Sequence, residues 1–339
     1  YLLKMTRQHR LLEVINFSNI CLSEKNNLTV INAKTDVPYG SFSSANLILV
    51  QSFATFYDEL DTFGYTVSVE MTQNTDVSIV HIPKSKIEGY GNIAKTIKMT
   101  NNCIIVDGNK KDGIDSYLKK ISKITEISNI SIKNHGKAFC FDPKKIDEKI
   151  LNGWEKDADI KKNEDGFFTA EGMFSSKRID KGSYQLAAFF KNMLKGRVAE
   201  LGAGWGWLSV EALKQNIDKI DIFEGFYPSM QSAKLNINDP RATFYWIDVM
   251  KINAKRQYDI VIMNPPFHLG QASDSSVGND FITKATEMLN NNGTLVMVAN
   301  RQLPYEKNIS KLFKNVTISH VQSGFKIIQA KKPKNLLNR

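Results

Sequence analysis

The 339-residue chain is 42% hydrophobic and 24% charged, the balance of a soluble globular protein long enough for two domains of about 150 residues each. No apolar run approaches the ~18 residues of a membrane span, residues 1–20 hold no signal-peptide core, and the three cysteines form no CxxC. These features exclude a membrane protein, a disulfide scaffold and a zinc site, and place the expected location in the cytoplasm. The net charge is +10, and residues 151–339, with 26 basic and 19 acidic side chains, hold +7 of it. Such an excess suits a polyanionic partner such as RNA or DNA, although Lys, Asn and Ile are abundant throughout, as an A/T-rich genome would write them.

In the first half, short apolar runs predict strands at 28–32, 46–50, 65–69, 77–81, 103–107 and 127–132, with helices near 53–63, 88–100 and 113–121. The alternation is that of an α/β domain. No glycine-rich strand-to-helix turn and no acidic pair occurs in it. Residues 151–165 read as a linker. Beyond it a helix is expected from Gly182-Ser183 to about Leu194, with Ser183 as its N-cap. Strands follow at 197–201, 219–223, 243–247, 258–263 and 294–299, with helices at 207–215, 229–236 and 280–290 between them. The last element is a hairpin, 316–321 and 325–330, turning at Ser323-Gly324 and followed by a basic tail.

The two halves share an order of elements. The run from Val77 through His81-Ile82-Pro83-Lys84 and Asn101-Asn102-Cys103 to His135–Phe139 parallels one from Ile260 to Ile327. The second run passes through Asn264-Pro265-Pro266-Phe267 and Asn291-Asn292-Gly293. An internal duplication is expected, its first copy lacking the Asn-Pro-Pro-Phe turn.

Four strand ends in the second half carry chemistry. Glu200-Leu201-Gly202-Ala203-Gly204-Trp205-Gly206 is a strand running into a glycine turn and a helix, where backbone N–H groups can approach a ligand closely. Its GxGxG spacing differs from the GxGxxG that cradles a dinucleotide pyrophosphate, which disfavours a nicotinamide dehydrogenase. Trp205 and Trp207 are expected to be packing groups. Glu224, 22 residues after Gly202, ends the next strand and can accept both hydroxyls of a ribose. Asp248 ends the third and can accept from an adenine amino group. The fourth ends in Asn264-Pro265-Pro266-Phe267-His268, where prolines stop the ladder at a sheet's carboxyl rim. An exocyclic amine is a poor nucleophile because its lone pair is delocalised. The Asn264 side-chain oxygen and the Pro265 carbonyl can accept its two hydrogens while Phe267 stacks on the ring, which is positioning and electrostatics without a strong base. His268 stands where it could relay the released proton.

These motifs, with Met173-Phe174-Ser175, Ile179–Ser183 and Asn300-Arg301-Gln302-Leu303-Pro304-Tyr305, resemble the bacterial ribosomal-RNA guanine-N2 methyltransferases, most closely the small-subunit enzymes with two methyltransferase-like domains. The resemblance is specific from about Gly166 to Lys331. It implies two tandem Rossmann-like α/β methyltransferase domains, each with a mixed sheet ending in an antiparallel hairpin. Residues 1–150 would be a degenerate copy that supports folding and RNA recognition, and 166–339 the catalytic domain. The implied cofactor is S-adenosylmethionine, held by Glu200, Gly202, Gly204, Gly206, Glu224, Asp248 and Asn264. Phe174, Asp180, Ser183, Phe267, His268 and Arg301 would face the substrate, a guanine N2 of 16S ribosomal RNA presented within the small subunit, with no metal involved. Adenine-N6 or large-subunit guanine-N2 methylation uses the same turn. A glutamine-amide methyltransferase would favour Tyr over Phe267 and a small helical front domain. A non-catalytic RNA-binding assembly factor would have no need of the Glu200, Glu224, Asp248 and Asn264 set.

Overall fold

The computed structural model describes residues 4–17, 22–42, 46–266, 275–320 and 324–334. The chain divides into two units, Tyr1–Asp159 and Ile160–Arg339. In the first, strands β1 (Asn27–Ile31), β2 (Asn46–Val50), β3 (Val67–Ser68), β4 (Thr75–His81), β5 (Thr100–Asn109), β6 (Asn129–Lys133) and β7 (Gly136–Phe141) form one sheet in the order β3-β2-β1-β4-β5-β7-β6. Helices α1 (Lys4–Phe17), α2 (Ala54–Thr62), α3 (Lys86–Lys98), α4 (Ile114–Ile121) and α5 (Glu148–Ala158) complete it. α5 occupies much of the stretch that reads as a linker, and it buries Leu151 and Trp154 in the first unit's core.

The second unit opens with a small ribbon, β8 (Lys161–Lys162) and β9 (Phe168–Thr169). Its main sheet contains β10 (Gly196–Leu201), β11 (Ile217–Glu224), β12 (Ala242–Trp246), β13 (Tyr258–Met263), β14 (Leu289–Asn300), β15 (Phe313–His320) and β16 (Phe325–Pro333). The helices are α6 (Lys181–Phe190), α7 (Trp207–Leu213), α8 (Tyr227–Asn236), α9 (Ser275–Met288) and α10 (Glu306–Leu312). The order β12-β11-β10-β13-β14-β16-β15 repeats that of the first sheet strand for strand. Five strands run parallel and the last two close an antiparallel hairpin. Both units are therefore the expected mixed α/β sheet ending in a hairpin.

Central strands read as unbroken apolar runs because helices cover both faces. Ala199, Leu201, Val261 and Met263 enter one core, and Val198, Ile260 and Ile262 enter the other. The first sheet does the same, with Val80 and Val106 on one side and Val77, Ile79 and Ile105 on the other. No described helix is long and apolar enough to cross a membrane.

The pairing registers align the copies residue by residue. Ile31 faces Val50 and Val80, while Leu201 faces Phe223 and Met263. Asn32, Gln51 and His81 thus stand where the second unit has Gly202, Glu224 and Asn264. Asn32 keeps the left-handed backbone of its counterpart, with φ 55 against 71 for Gly202. Gln51 accepts from the Phe53 amide and donates to the Ala33 carbonyl at 2.7 Å, so its side chain is spent on its own loop.

Around His81 the first unit is plugged. Arg10 of α1 is buried and forms an ion pair with the buried Asp107. Asp107 also takes the His81 Nδ1 contact at 2.8 Å, and the Tyr39 hydroxyl meets His81 Nε2 at 2.9 Å. The Tyr39 oxygen accepts from the Lys34 amide, so its proton goes to Nε2 and the neutral ring donates from Nδ1 to Asp107. Burial pushes the His81 imidazole down to about 4, against the pull of Asp107. Burial alone would raise the Asp107 carboxyl, but hydrogen bonds from His81 and Arg10 hold it at about 2.

The unfolded chain binds a proton at His81 below about 6.5, which the folded unit refuses until about 4. That contribution to stability is fully present above the first value and is lost as pH falls towards the second. Corrected amide exchange in β4 and β5 should therefore quicken between pH 7 and pH 5, and His81→Gln should flatten the response. Equal protection at both values would show that the ring takes its proton without cost.

Candidate active site

The carboxyl rim of β10, β11, β12 and β13 gathers the expected residues, at the point where strand order reverses between β10 and β13. Since Leu201 pairs with both Phe223 and Met263, the glycine turn, Glu224 and Asn264 leave three adjacent strands at one level. Gly202, Gly204 and Gly206 all have left-handed backbones, with φ of 71, 57 and 86. At Gly206 a Cβ would lie 3.0 Å from that of Ala233, so α8 also demands the glycine. At Gly204 a Cβ would meet nothing within 4 Å, which leaves open space over the turn.

Glu224 closes the turn from the neighbouring strand. Its Oε2 accepts from the Gly204 amide and its Oε1 from the Phe226 amide, both at 2.7 Å. Burial raises its carboxyl, and the amides of Phe226, Gly204 and Gly225 oppose the rise. The carboxylate retains acceptor capacity for a further donor. Glu200 lies deeper. It is 1% exposed and takes the Ser209 hydroxyl of α7, and burial pushes its carboxyl up to about 8. It braces the turn from beneath rather than facing the open space. Asp248 accepts from the Met250 amide through Oδ1 at 2.9 Å, capping a short turn after β12.

Asn264 is held from the side by α6. Its Nδ2 donates to Asp180 Oδ2 at 3.1 Å and to Ser183 Oγ at 2.9 Å. Asp180 is the N-cap of α6, accepting from the Ser183 amide at 2.8 Å. The expectation of Ser183 as the cap is thus corrected. Gly182, expected at the start of the helix, lies inside it, where a Cβ would come within 2.9 Å of the Phe325 ring. The helix also ends early, at Phe190, and Asn192 takes φ 63.

Phe174 is 54% exposed beside the turn, and the Trp205 indole N–H donates to its carbonyl at 3.1 Å. Trp205 and Trp207 are themselves buried, as packing groups. Arg301 is exposed just past β14, its amide bonded to the Gly324 carbonyl. Pro265 is buried directly after Asn264. Phe267 and His268 lie outside the described residues.

Sequence reasoning missed two supports. Asn236 of α8 accepts from the Phe168 amide and donates to the carbonyls of Phe168 and Trp205, tying the glycine turn to β9. Ser209 holds Glu200. Neither has a local signature, because each depends on a partner brought close by folding.

Residues 164–329 match the methyltransferase small domain family. The ribosomal RNA small subunit methyltransferase C of Shewanella loihica is 29% identical over 280 residues, 80% of this chain and 80% of its own length. That of Buchnera aphidicola is 27% identical over 279 residues, covering 78% and 79%. Residues 164–329 are a methyltransferase small domain. A solved T. thermophilus 16S rRNA N2 G1207 methyltransferase, in complex with AdoMet and guanosine, matches in fold with a TM-score of 0.75. It is 18% identical, and the match covers 96% of this chain and 93% of that one. The two-unit architecture of this methyltransferase is therefore that of a solved relative, whose complex holds AdoMet. The residues present fit that cofactor. The backbone at Gly204 is open, with nothing within 4 Å of where a Cβ would stand, and Glu224, bonded to the Gly204 amide, keeps acceptor capacity beside it.

Proposed function

We propose that this methyltransferase modifies the exocyclic N2 of a guanine in 16S ribosomal RNA, presented within the small subunit in the cytoplasm. The observation that carries the reading is the placement of the Asn264-Pro265 turn directly beside the glycine turn, on paired strands. S-adenosylmethionine, when bound, supplies a methyl group made electrophilic by its positive sulfur. The backbone of Gly202, Gly204 and Gly206 would lie against it, Glu224 would take the ribose hydroxyls, and Asp248 would accept from the adenine amine with its remaining oxygen.

At the target base, the Asn264 Oδ1 and the Pro265 carbonyl accept the two hydrogens of one amine. Its lone pair is thereby turned out of the ring's π system and aimed. The proton lost on transfer leaves through these acceptors to solvent, or through His268. Phe174 and Phe267 offer faces on which a splayed base can stack, and such a base must first leave its own stack. Arg301, past the end of β14, suits a phosphate. The first unit has a glutamine where the ribose carboxylate would be and a plug where the turn would open. It is left to support the fold and to contact RNA backbone.

The same two acceptors would serve either amine, and the N2 G1207 target printed for the solved T. thermophilus relative favours guanine N2 over adenine N6. Purified protein and labelled cofactor should be incubated with undermethylated small subunits, large subunits and DNA, and the nucleosides separated. Label should appear as N2-methylguanine in small-subunit RNA. Label on adenine N6, or only on DNA or protein, would remove the guanine assignment.

A further inference from the structure

We propose that Asp180 and Ser183 are positioning residues that set which end of the Asn264 carboxamide faces the target amine. The inference rests on the amine-directed reading above and reassigns two residues expected to touch the substrate. A carboxamide has an accepting and a donating end, nearly equal in shape. Turned the wrong way, Asn264 would present N–H groups to an amine and repel it. Strand β13 ends one residue earlier and does not decide this rotation.

Asp180 decides it. A carboxylate can only accept. Its Oδ2 lies 3.1 Å from Nδ2, and in the reversed rotamer it would confront Oδ1, acceptor against acceptor. Ser183 Oγ takes the second hydrogen at 2.9 Å, so both Nδ2 protons are used. Oδ1 has no hydrogen bond among the described residues and is the end left for a ligand. The pocket is thus preset for a group that donates two hydrogens, and it rejects a carbonyl or an unprotonated ring nitrogen at that point.

A reciprocal exchange tests the arrangement. The Asp180 Oδ2 that faces Asn264 Nδ2 is also the oxygen that caps α6, so in Asp180→Asn the new amide, whenever it turns its NH2 to that point, gives up the cap and meets Asn264 donor to donor. Turnover should fall about 10- to 100-fold, the scale of a misplaced reacting group. KM for RNA and the cofactor Kd should each stay within about threefold, because neither ligand touches Asp180 in this arrangement. Asn264→Asp should fall further, with two carboxylates face to face. Combining the two restores a donor at 180 and an acceptor at 264. The double variant should therefore turn over about 10-fold or more faster than Asn264→Asp alone.

A double variant no better than Asn264→Asp would overturn the proposal. A second readout needs no turnover: the Asn264 side-chain amide protons, identified by their loss in Asn264→Ala, should exchange slowly in the unsubstituted protein and fast in Asp180→Asn. Fast exchange in both would overturn the positioning role. Slow exchange in a protein that methylates no guanine would instead remove the reaction assignment and leave the amide orientation standing.

Discussion

Asn264→Ala should lower turnover by about 100-fold or more, the scale of removing one preorganised electrostatic contact from a transition state. The substitution deletes Oδ1, and with it one of two acceptors that aim the amine. It also leaves Asp180 Oδ2 and Ser183 Oγ without the donor they now share. Asp180 still caps α6 through the Ser183 amide at 2.8 Å, so the helix should hold its place. Cofactor affinity should change little, because the glycine turn and Glu224 are untouched. Single-turnover rates with saturating cofactor, beside calorimetric binding, separate the two effects. Near-wild-type turnover would reduce Asn264 to the residue that ends β13.

Glu224→Gln should weaken cofactor binding by about 10- to 100-fold, the range of a lost charge-assisted hydrogen bond. The physical reason is already built into the first unit. A carboxylate can receive the Gly204 and Phe226 amides on its two oxygens at once. An amide side chain can receive only one of them and sets N–H against N–H at the other. Gln51, at the matching position, receives the Phe53 amide and turns its Nε2 onto the Ala33 carbonyl, closing its loop on itself. A titration of the unsubstituted chain should show one cofactor site, and Glu224→Gln should weaken that site without uncovering another. Two sites in the unsubstituted chain, or binding that survives the substitution intact, would contradict the assignment of the first unit as a decayed copy.

Much of this molecule was legible from local chemistry. Strand 258–263 was expected with the bounds it has, Tyr258–Met263, because four apolar residues followed by two prolines admit one reading. The glycine turn was legible for a similar reason, since three glycines at alternate positions mark a backbone with positive φ. The duplication was legible as a shared order of elements, and the strand orders of the two sheets repeat it. The loss of function chemistry in the first copy was visible at His81-Ile82-Pro83-Lys84.

Other features depended on contacts between distant residues. Helix α1 has Leu11, Val14 and Ile15 on its buried face, but Arg10 interrupts that pattern. The arginine can be buried only because Asp107, 97 residues away, pairs with it. Helix α5 buries only Leu151 and Trp154 among charged neighbours, too few positions to announce a helix from periodicity. The cap of α6 was expected at Ser183, but it is Asp180, and Gly182 is helical against Phe325 of the hairpin strand.

The sequence by itself determined which residues reach the carboxyl rim of the second sheet, because strand ends, glycine spacing and proline turns are local properties of the chain. Tertiary structure alone decided how those residues are aimed. The Asn264 amide is oriented by Asp180, 84 positions earlier, and Glu200 is turned under the glycine turn by Ser209. Rotation about a side-chain bond has no local preference strong enough to fix an amide, so the direction comes from whichever donor or acceptor the fold places beside it.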